Sequence, residues 1–452
     1  MKNWKKILLL AIPSIASFAS MTVTGMINLI MVGNLGAMAI AIVGVTNVIM
    51  YNAWAMFSGI GHTVNYLVAQ NYGSNDMKKG LERTFIALGF GLLAGIFTIL
   101  VGFFGAEGIL RLMGSPDRMV VEGITYLQIR FYAMLFSILT FTLYSFFRGI
   151  GDTRTPMYAS LIGNGIMIFF TYSLTYGNFG FPELGLKGAG IALFLGELAA
   201  FILIVYAFIM RLKETFGIRI KAVIGSMLDY AESKLIFIES FKLGTLEFSQ
   251  SLAMLVFTAF VTRLGTNALA SNEIALSVMS LGFMPAFAFG STATILVGQE
   301  LGKNKPDIAK KLGIETAVIG TLFLLVLGTV EFFFAEPIAK IYTNEPEVFL
   351  LTASLIMISA FLQLFDGFLN FFSGALRGIG DTTFLLRASL ILAWGVFVPL
   401  SYLMVFVMDF GSYGAWIALY IYLTIFGITI MTRFFLKDFT KVSLKKAIKK
   451  PA

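Results

Sequence analysis

The sequence predicts an all-α polytopic membrane protein, with twelve transmembrane helices in two six-helix lobes. Three observations carry this expectation. Of 452 residues, 58% are hydrophobic and 13% charged, and mean hydropathy is +0.86; a water-facing domain carries roughly 25% charged residues. Stretches holding the about 20 apolar residues that a bilayer-crossing helix needs recur along the chain. The chain also repeats itself at a fixed offset. FFRGIGDTRTPMYASL (146–161) returns as ALRGIGDTTFLLRASL (375–390), placing Arg148 and Arg377 229 positions apart. Gln70 of VAQNYGSND and Gln299 of VGQELGKNK keep that spacing, as do Leu35-Gly36 and Leu264-Gly265. Three landmarks in one register mean a duplicated unit.

Taken in order, the apolar segments fall near 7–33, 37–70, 83–106, 119–147, 155–177, 187–210, 235–262, 266–299, 312–335, 348–376, 384–408 and 412–436. An even number per repeat gives both halves one orientation and relates them by a pseudo-two-fold along the membrane normal. The expected division is an N-terminal lobe over 1–210, an inter-lobe linker over 211–234, a C-terminal lobe over 235–440 and a basic tail over 441–452. The second segment of each half is unusually long; as a helix it spans roughly 50 Å and must tilt, kink or leave the bilayer. Pro13, Pro285 and Pro399 lie inside apolar segments, where each removes an intrahelical hydrogen bond and favours a kink.

Lys and Arg gather on one side. They occupy the N-terminus (Lys2, Lys5, Lys6), the 71–82 loop with Arg83, the turns after Arg148 and Arg377, the 211–234 and 300–311 segments and the C-terminal tail, whereas opposite loops hold few. By the positive-inside rule both termini and the linker are cytoplasmic, with the chain in the cell (inner) membrane. The net charge of +8 is therefore topogenic and lipid-facing rather than a nucleic-acid footprint. Residues 211–234 and the tail mix charge with apolar residues, a pattern suited to the inner leaflet. The first segment is too long for a signal-peptide core. Cys is absent and His occurs once, excluding disulfides, thiolate sites and multi-histidine metal sites. No nucleophile–base pair stands out, so an enzyme is not expected.

RGIGDTRTPMYASLIGN, NLIMVGNLGAMAIAIVG and STATILVGQELGKNKPDIAKK resemble the signature stretches of MATE multidrug efflux transporters, nearer the DinF-like branch, over about residues 7–436. The resemblance implies two lobes in a V around a central chamber. It also implies an antiporter that exports hydrophobic or cationic drug-like molecules as protons, or less readily sodium ions, move inward. No cofactor beyond that ion is implied, and the partners are small molecules and membrane lipids around a monomer. The alternative within the superfamily is a lipid-linked precursor flippase. Those proteins more often have fourteen helices and a cationic cavity.

Ionisable residues at bilayer depth are functional candidates by default. Glu247 is followed on one helical face by Gln250, Ser251, Met254 and Thr258. Asp366 shares a face with Gln363, Asn370 and Ser373, and Glu273 heads a third stripe with Ser277 and Ser280. These acids can supply hard oxygen ligands or hold a proton. Similarity to the NorM branch points to Glu247 and Asp366 as ligands of one monovalent cation; the tyrosine that branch often places one turn before the aspartate is Leu362 here.

The N-terminal lobe differs. Where the family usually has an Asp one turn before the VGxLG run, this chain has Asn28, which shares a face with Met21, Thr24 and Met31. Asn has the shape of Asp but cannot ionise. Where the fifth helix often carries an Asn–Asp pair, Met167 and Thr171 stand, with Asn164 polar nearby. Either coupling resides elsewhere, or position 28 carries a substitution that traps one state. Arg148–Asp152 and Arg377–Asp381 are read as structural pairs bracing Gly-rich turns. His62 is read as a hydrogen-bonded partner rather than a pH sensor, while Glu197 and Arg130 are intramembrane and unassigned. Met and Phe stripes suit a chamber wall that adapts to many ligands.

Overall fold

The structure is a computed structural model that describes residues 2–213, 229–342 and 345–444. Twelve helices among them are long and apolar enough to cross a membrane. They are α1 (Lys2–Gly33), α2 (Ala37–Gly73), α3 (Met77–Leu112), α4 (Asp117–Gly149), α5 (Arg154–Tyr176), α6 (Gly185–Arg211), α7 (Tyr230–Thr262), α8 (Thr266–Gly302), α9 (Pro306–Phe333), α10 (Pro346–Gly378), α11 (Thr382–Val407) and α12 (Gly411–Leu436). A short helix, Ala335–Tyr342, sits between α9 and α10. The protein is a multi-pass helical membrane protein.

The repeat is written into the backbone. Gly36 and Gly265, the residues before α2 and α8, both adopt φ 109°, a conformation that a side chain would strain. Asn75 and Asn304 both turn left-handed at φ 58° and 57°, and Gly151 and Gly380 follow at 89° and 78°. All three pairs are 229 residues apart, so the two copies start and stop their helices by the same local devices.

Helix ends depart from the hydropathy reading where polar groups extend them. α3 begins at Met77 rather than near 83 because the Asp76 carboxylate accepts from the Lys79 amide at 3.2 Å, satisfying a first-turn donor. Lys79 and Arg83 then reach Glu232, each at 3.0 Å. Glu232 belongs to the segment expected to be a linker, yet it is buried in the first turn of α7. The remainder of that linker, 214–228, and the tail from 445 onward lie outside the described residues. The second helix of each half has 37 residues, but α3 with 36 is nearly as long. Around Pro399, α11 loosens into π-helical stretches at Ala393–Phe397 and Leu403–Val407, where the absent amide donor disrupts the regular ladder.

Two compact units emerge. One gathers the described residues from Thr245 onward together with those up to Ile15; the other runs from Ala16 to Gly244. The two divisions, inside α1 and α7, are again 229 residues apart. In the first unit Trp416, Phe257, Phe289, Phe371, Phe397, Phe426 and Phe434 are fully buried, and Ile7 and Ala11 join their cluster. In the second, Phe146, Phe147 and Tyr66 are buried alongside Phe208.

Lipid tails are as apolar as leucine, so helices in a membrane associate chiefly through close packing. The α8–α10 crossing depends on this. A Cβ on Gly374 would lie 2.0 Å from the Gly290 carbonyl oxygen, and one on Gly290 would lie 2.6 Å from the Asn370 carbonyl oxygen. Backbone atoms cannot yield as a side-chain tip can. Gly374→Val is therefore expected to cost about 3 kcal/mol or more through overpacking. Gly25→Val, at a glycine where nothing lies within 4 Å of an added Cβ, is the matched control. Thermal melts of the two purified variants check this; equal melting temperatures would remove the crossing from the account.

Candidate functional site

Within the unit that starts at Ala16, α1 and α5 are joined by a polar seam. Asn164 donates to the Ser20 hydroxyl at 2.9 Å, and Ser20 and Ser160 share a hydrogen bond of 3.3 Å. Further along, the Thr171 hydroxyl donates to Asn28 Oδ1 at 3.3 Å. The Tyr176 hydroxyl donates to the Met31 carbonyl and accepts from Asn34 at 3.2 Å. Asn28 is only 6% exposed, and Thr24, Met167 and Thr171 are buried beside it. Met21 does not belong to the buried face: at 52% exposure it shows that the helical stripe read from spacing is only partly interior. Asn28 thus stands where a small polar side chain is held by one hydroxyl.

Another polar group in this unit lies off the expected positions. Arg130 donates to Asn47 Oδ1 at 2.9 Å and to the Tyr126 hydroxyl at 3.2 Å. Glu197 of α6 faces Ser137 and the Arg130 charge. This unit therefore does carry an embedded carboxylate, set against a guanidinium. His62 is buried with its ring edge-on to Phe141, centroids 5.4 Å apart.

The other unit repeats the seam and then diverges. Ser389 of α11 donates to the Leu246 carbonyl at 3.5 Å, as Ser160 does to the Ser17 carbonyl at 3.5 Å. Both members of the two pairs keep the 229-residue offset. Trp394 donates to the Ser249 hydroxyl at 3.0 Å. The position equivalent to Asn28 is Phe257, which stacks on Phe397, and Phe397 stacks on Tyr422. Polar chemistry shifts instead to α10. Asp366 is 6% exposed and accepts from the Asn370 amide at 3.2 Å. Tyr422 of α12 lies nearby.

The structure gives Glu247 and Asp366 different partners. Glu247 pairs with Arg377 at 3.7 Å. Arg377 and Asp366 are eleven residues apart on α10, about 16 Å of helix axis. Buried Ser251 and half-buried Gln250 flank Glu247. Glu273 is exposed at the start of α8 rather than buried in a stripe; its neighbour Asn272 faces inward and accepts from the Trp416 indole at 3.1 Å. Gln363 turns toward Glu331 of α9 and donates to it. Glu331 was not legible as a candidate, because it is a single acid near the end of the ninth apolar segment, before three phenylalanines.

The expected Arg148–Asp152 and Arg377–Asp381 pairs do not form. Asp152 instead accepts from Arg211 of α6 and from the backbone amides of Arg154 and Thr155, at 3.2 and 3.0 Å. Asp381 is held by Arg433 and Lys437 at 2.9 and 3.2 Å. The arginines of the motif point inward. Arg148 lies over the Phe18 ring at 4.5 Å, and Arg377 reaches Glu247. In each copy the motif's Asp fastens the lobe's last helix to the turn, and its Arg enters the lobe interior.

Duplicated helical units, each with polar groups buried at membrane depth, define the class of a secondary transporter fold. The sequence profile of the MatE family matches residues 13–173 and 246–403, and the chain belongs to that family. It is 28% identical over 442 residues to a protein of Thermotoga maritima described as a probable multidrug resistance protein NorM, covering 96% of this chain and 92% of that one. It is 26% identical over 424 residues to the Bacillus subtilis probable multidrug resistance protein YoeA, covering 92% and 89%. A MATE crystallised in complex with MaL6 has the same fold, with TM-score 0.87 at 20% identity over 96% of each chain.

Removing the Asp152 carboxylate deletes both the acceptor for the first turn of α5 and the anchor of Arg211. Asp152→Ala is expected to lower stability by about 1–2 kcal/mol, and Asp381→Ala similarly, with Arg433 and Lys437 left unpaired. Melting of the purified variants reads this out. If Asp152→Ala melts with the parent while Arg148→Ala does not, the Arg rather than the Asp holds the turn.

Proposed function

We propose that this chain is a secondary active antiporter of the multidrug efflux type, exporting hydrophobic and cationic compounds while protons move inward. Membership of the family and the multidrug resistance descriptions of its relatives support the transport class. The single observation that carries the coupling is Asp366. It is a carboxyl buried in a membrane span with an amide and a phenol for neighbours, while Arg377, Arg433 and Lys437 are engaged by Glu247 and Asp381. Such a group carries either a proton or the charge that attracts a cation. A cationic substrate and a proton then compete for it, and the ion gradient biases a two-state equilibrium by the difference in its affinity for the two states.

Among the described residues a single amide hydrogen-bonds the Asp366 carboxylate, a setting that suits a proton better than a hard cation, which collects several oxygen ligands, so sodium is the second choice. Neither named relative is described as a flippase, and that alternative is not favoured. The basic residues at the chain ends and in the 71–83 and 300–311 segments support a topology with both termini in the cytoplasm, and the chain is taken to work as a monomer.

The neutral Asn28 implies that the unit starting at Ala16 contributes substrate contacts without proton exchange. Binding of a fluorescent cationic dye across roughly pH 5–8 tests the division of labour. Asp366→Asn is expected to weaken binding roughly tenfold, worth about 1.4 kcal/mol, and to remove its pH dependence. Asn28→Asp is expected to bind dye more tightly than the parent and to add a second pH-dependent component, with binding lost as the pH falls. An Asp366→Asn protein that still binds and titrates like the parent would move the coupling role elsewhere.

A further inference from the structure

A second carboxyl in the unit that begins at Thr245 has surroundings that ask for a proton. Glu331 is 2% exposed, two residues from the end of α9, and Gln363 of α10 is equally buried. The Gln363 amide nitrogen donates to Glu331 Oε2. The other oxygen of each side chain, Glu331 Oε1 and Gln363 Oε1, is buried without a hydrogen-bond partner among the described residues. Both are acceptors when Glu331 is ionised, so the pair as an anion leaves two orphaned lone-pair groups at the helix contact.

The site is built by glycines. A Cβ on Gly328 would lie 2.2 Å from the Ala360 carbonyl oxygen, so α9 and α10 touch backbone to backbone there. Glu331 and Gln363 each stand one turn from that crossing, on the face that meets the other helix. A Cβ on Gly282 of α8 would lie 1.9 Å from Gln363 Oε1, so a third helix leaves the amide its room. The position equivalent to Glu331 in the other copy is Gly102, and that equivalent to Gln363 is Met134. The pair therefore belongs to one lobe alone.

We propose that Glu331 is a proton-binding site: a neutral carboxylic acid closed into a cyclic pair with Gln363. The proton adds to Glu331 Oε1. That hydroxyl donates to Gln363 Oε1, and the Gln363 amide donates to Glu331 Oε2, so one proton converts two orphaned acceptors into a second hydrogen bond. Loss of the proton places an uncompensated anion at the helix contact, which ties the α9–α10 crossing to proton occupancy. The titratable groups on the elements packed against α9 do not compensate it. On α10, Asp366 is held by Asn370, Arg377 by Glu247, and Glu347 accepts from Asn267. On α8, Glu300 is held by Lys303, and Glu273 is exposed. Glu336 and Lys340 of the short helix pair with each other, as do Asp438 and Lys441 beyond α12.

Infrared spectra of the purified full chain, carrying isotope-labelled glutamate to separate its carboxyls from Asp366, test the proposal at neutral pH. The expected result is a labelled carboxylic-acid band that disappears in Glu331→Gln and moves to higher frequency in Gln363→Leu, where the acid loses its amide partner. Glu331→Gln should fold, because two amides close the same ring without a proton; if it does not, the Gln363→Leu shift alone decides. Identical acid bands in the parent and Glu331→Gln, or a band unmoved in Gln363→Leu, would overturn the proposal. The measurement is independent of transport: a chain that exports nothing would still show the band.

Discussion

Inside a bilayer a polar group has no water to fall back on, and a buried donor or acceptor left without a partner in the protein is costly. The arrangement of both units follows from that constraint. Hydroxyls of Thr84, Thr98, Thr142, Thr292 and Thr316 turn back to carbonyls on their own helices, which permits them in apolar spans at little cost. Side chains that cannot be satisfied locally reach across helices, and those few contacts specify which helices meet. The α1–α5 seam and its α7–α11 counterpart are examples, and so are the Trp416–Asn272 and Tyr66–Glu239 bonds.

The helices and the duplication were legible because both rest on local or periodic signals. Twelve apolar stretches predicted twelve helices, and the landmarks spaced by 229 reappeared as matching backbone angles and as the equivalent Ser160 and Ser389 hydrogen bonds. Partner choice was not legible. Asp152 and Asp381 stand four residues after arginines in the sequence, yet their partners, Arg211 and Arg433, are 59 and 52 residues away. Only the packing of each lobe's last helix decides that. Glu331 was illegible for the same reason: its meaning depends on Gln363, brought opposite by the register of two antiparallel helices.

The copies share scaffolding and differ in chemistry. Turns, helix starts and the serine contacts are kept, whereas the interior positions have exchanged character. Asn28 corresponds to Phe257, and Ser137, which faces Glu197, corresponds to Asp366. Charge is thus distributed unequally, with Arg130, Arg148 and Glu197 in one unit and Glu247–Arg377, Asp366 and Glu331 in the other. Because the backbone frame is common, such exchanges need alter only the packing around one side chain. Phe257 shows this in its stacking against Phe397 where Asn28 meets a threonine.

Each copy crosses the membrane an even number of times, and this bears on how such a chain could arise. A six-helix precursor inserts with its two ends on the same side of the bilayer. Two copies of the gene can then be joined end to start by a short hydrophilic stretch, with no added span and no inversion of either half. A precursor with an odd number of crossings would have needed an extra helix to keep its second copy upright. The fusion also frees the two halves from identity, since a change at position 28 no longer enforces the same change at position 257.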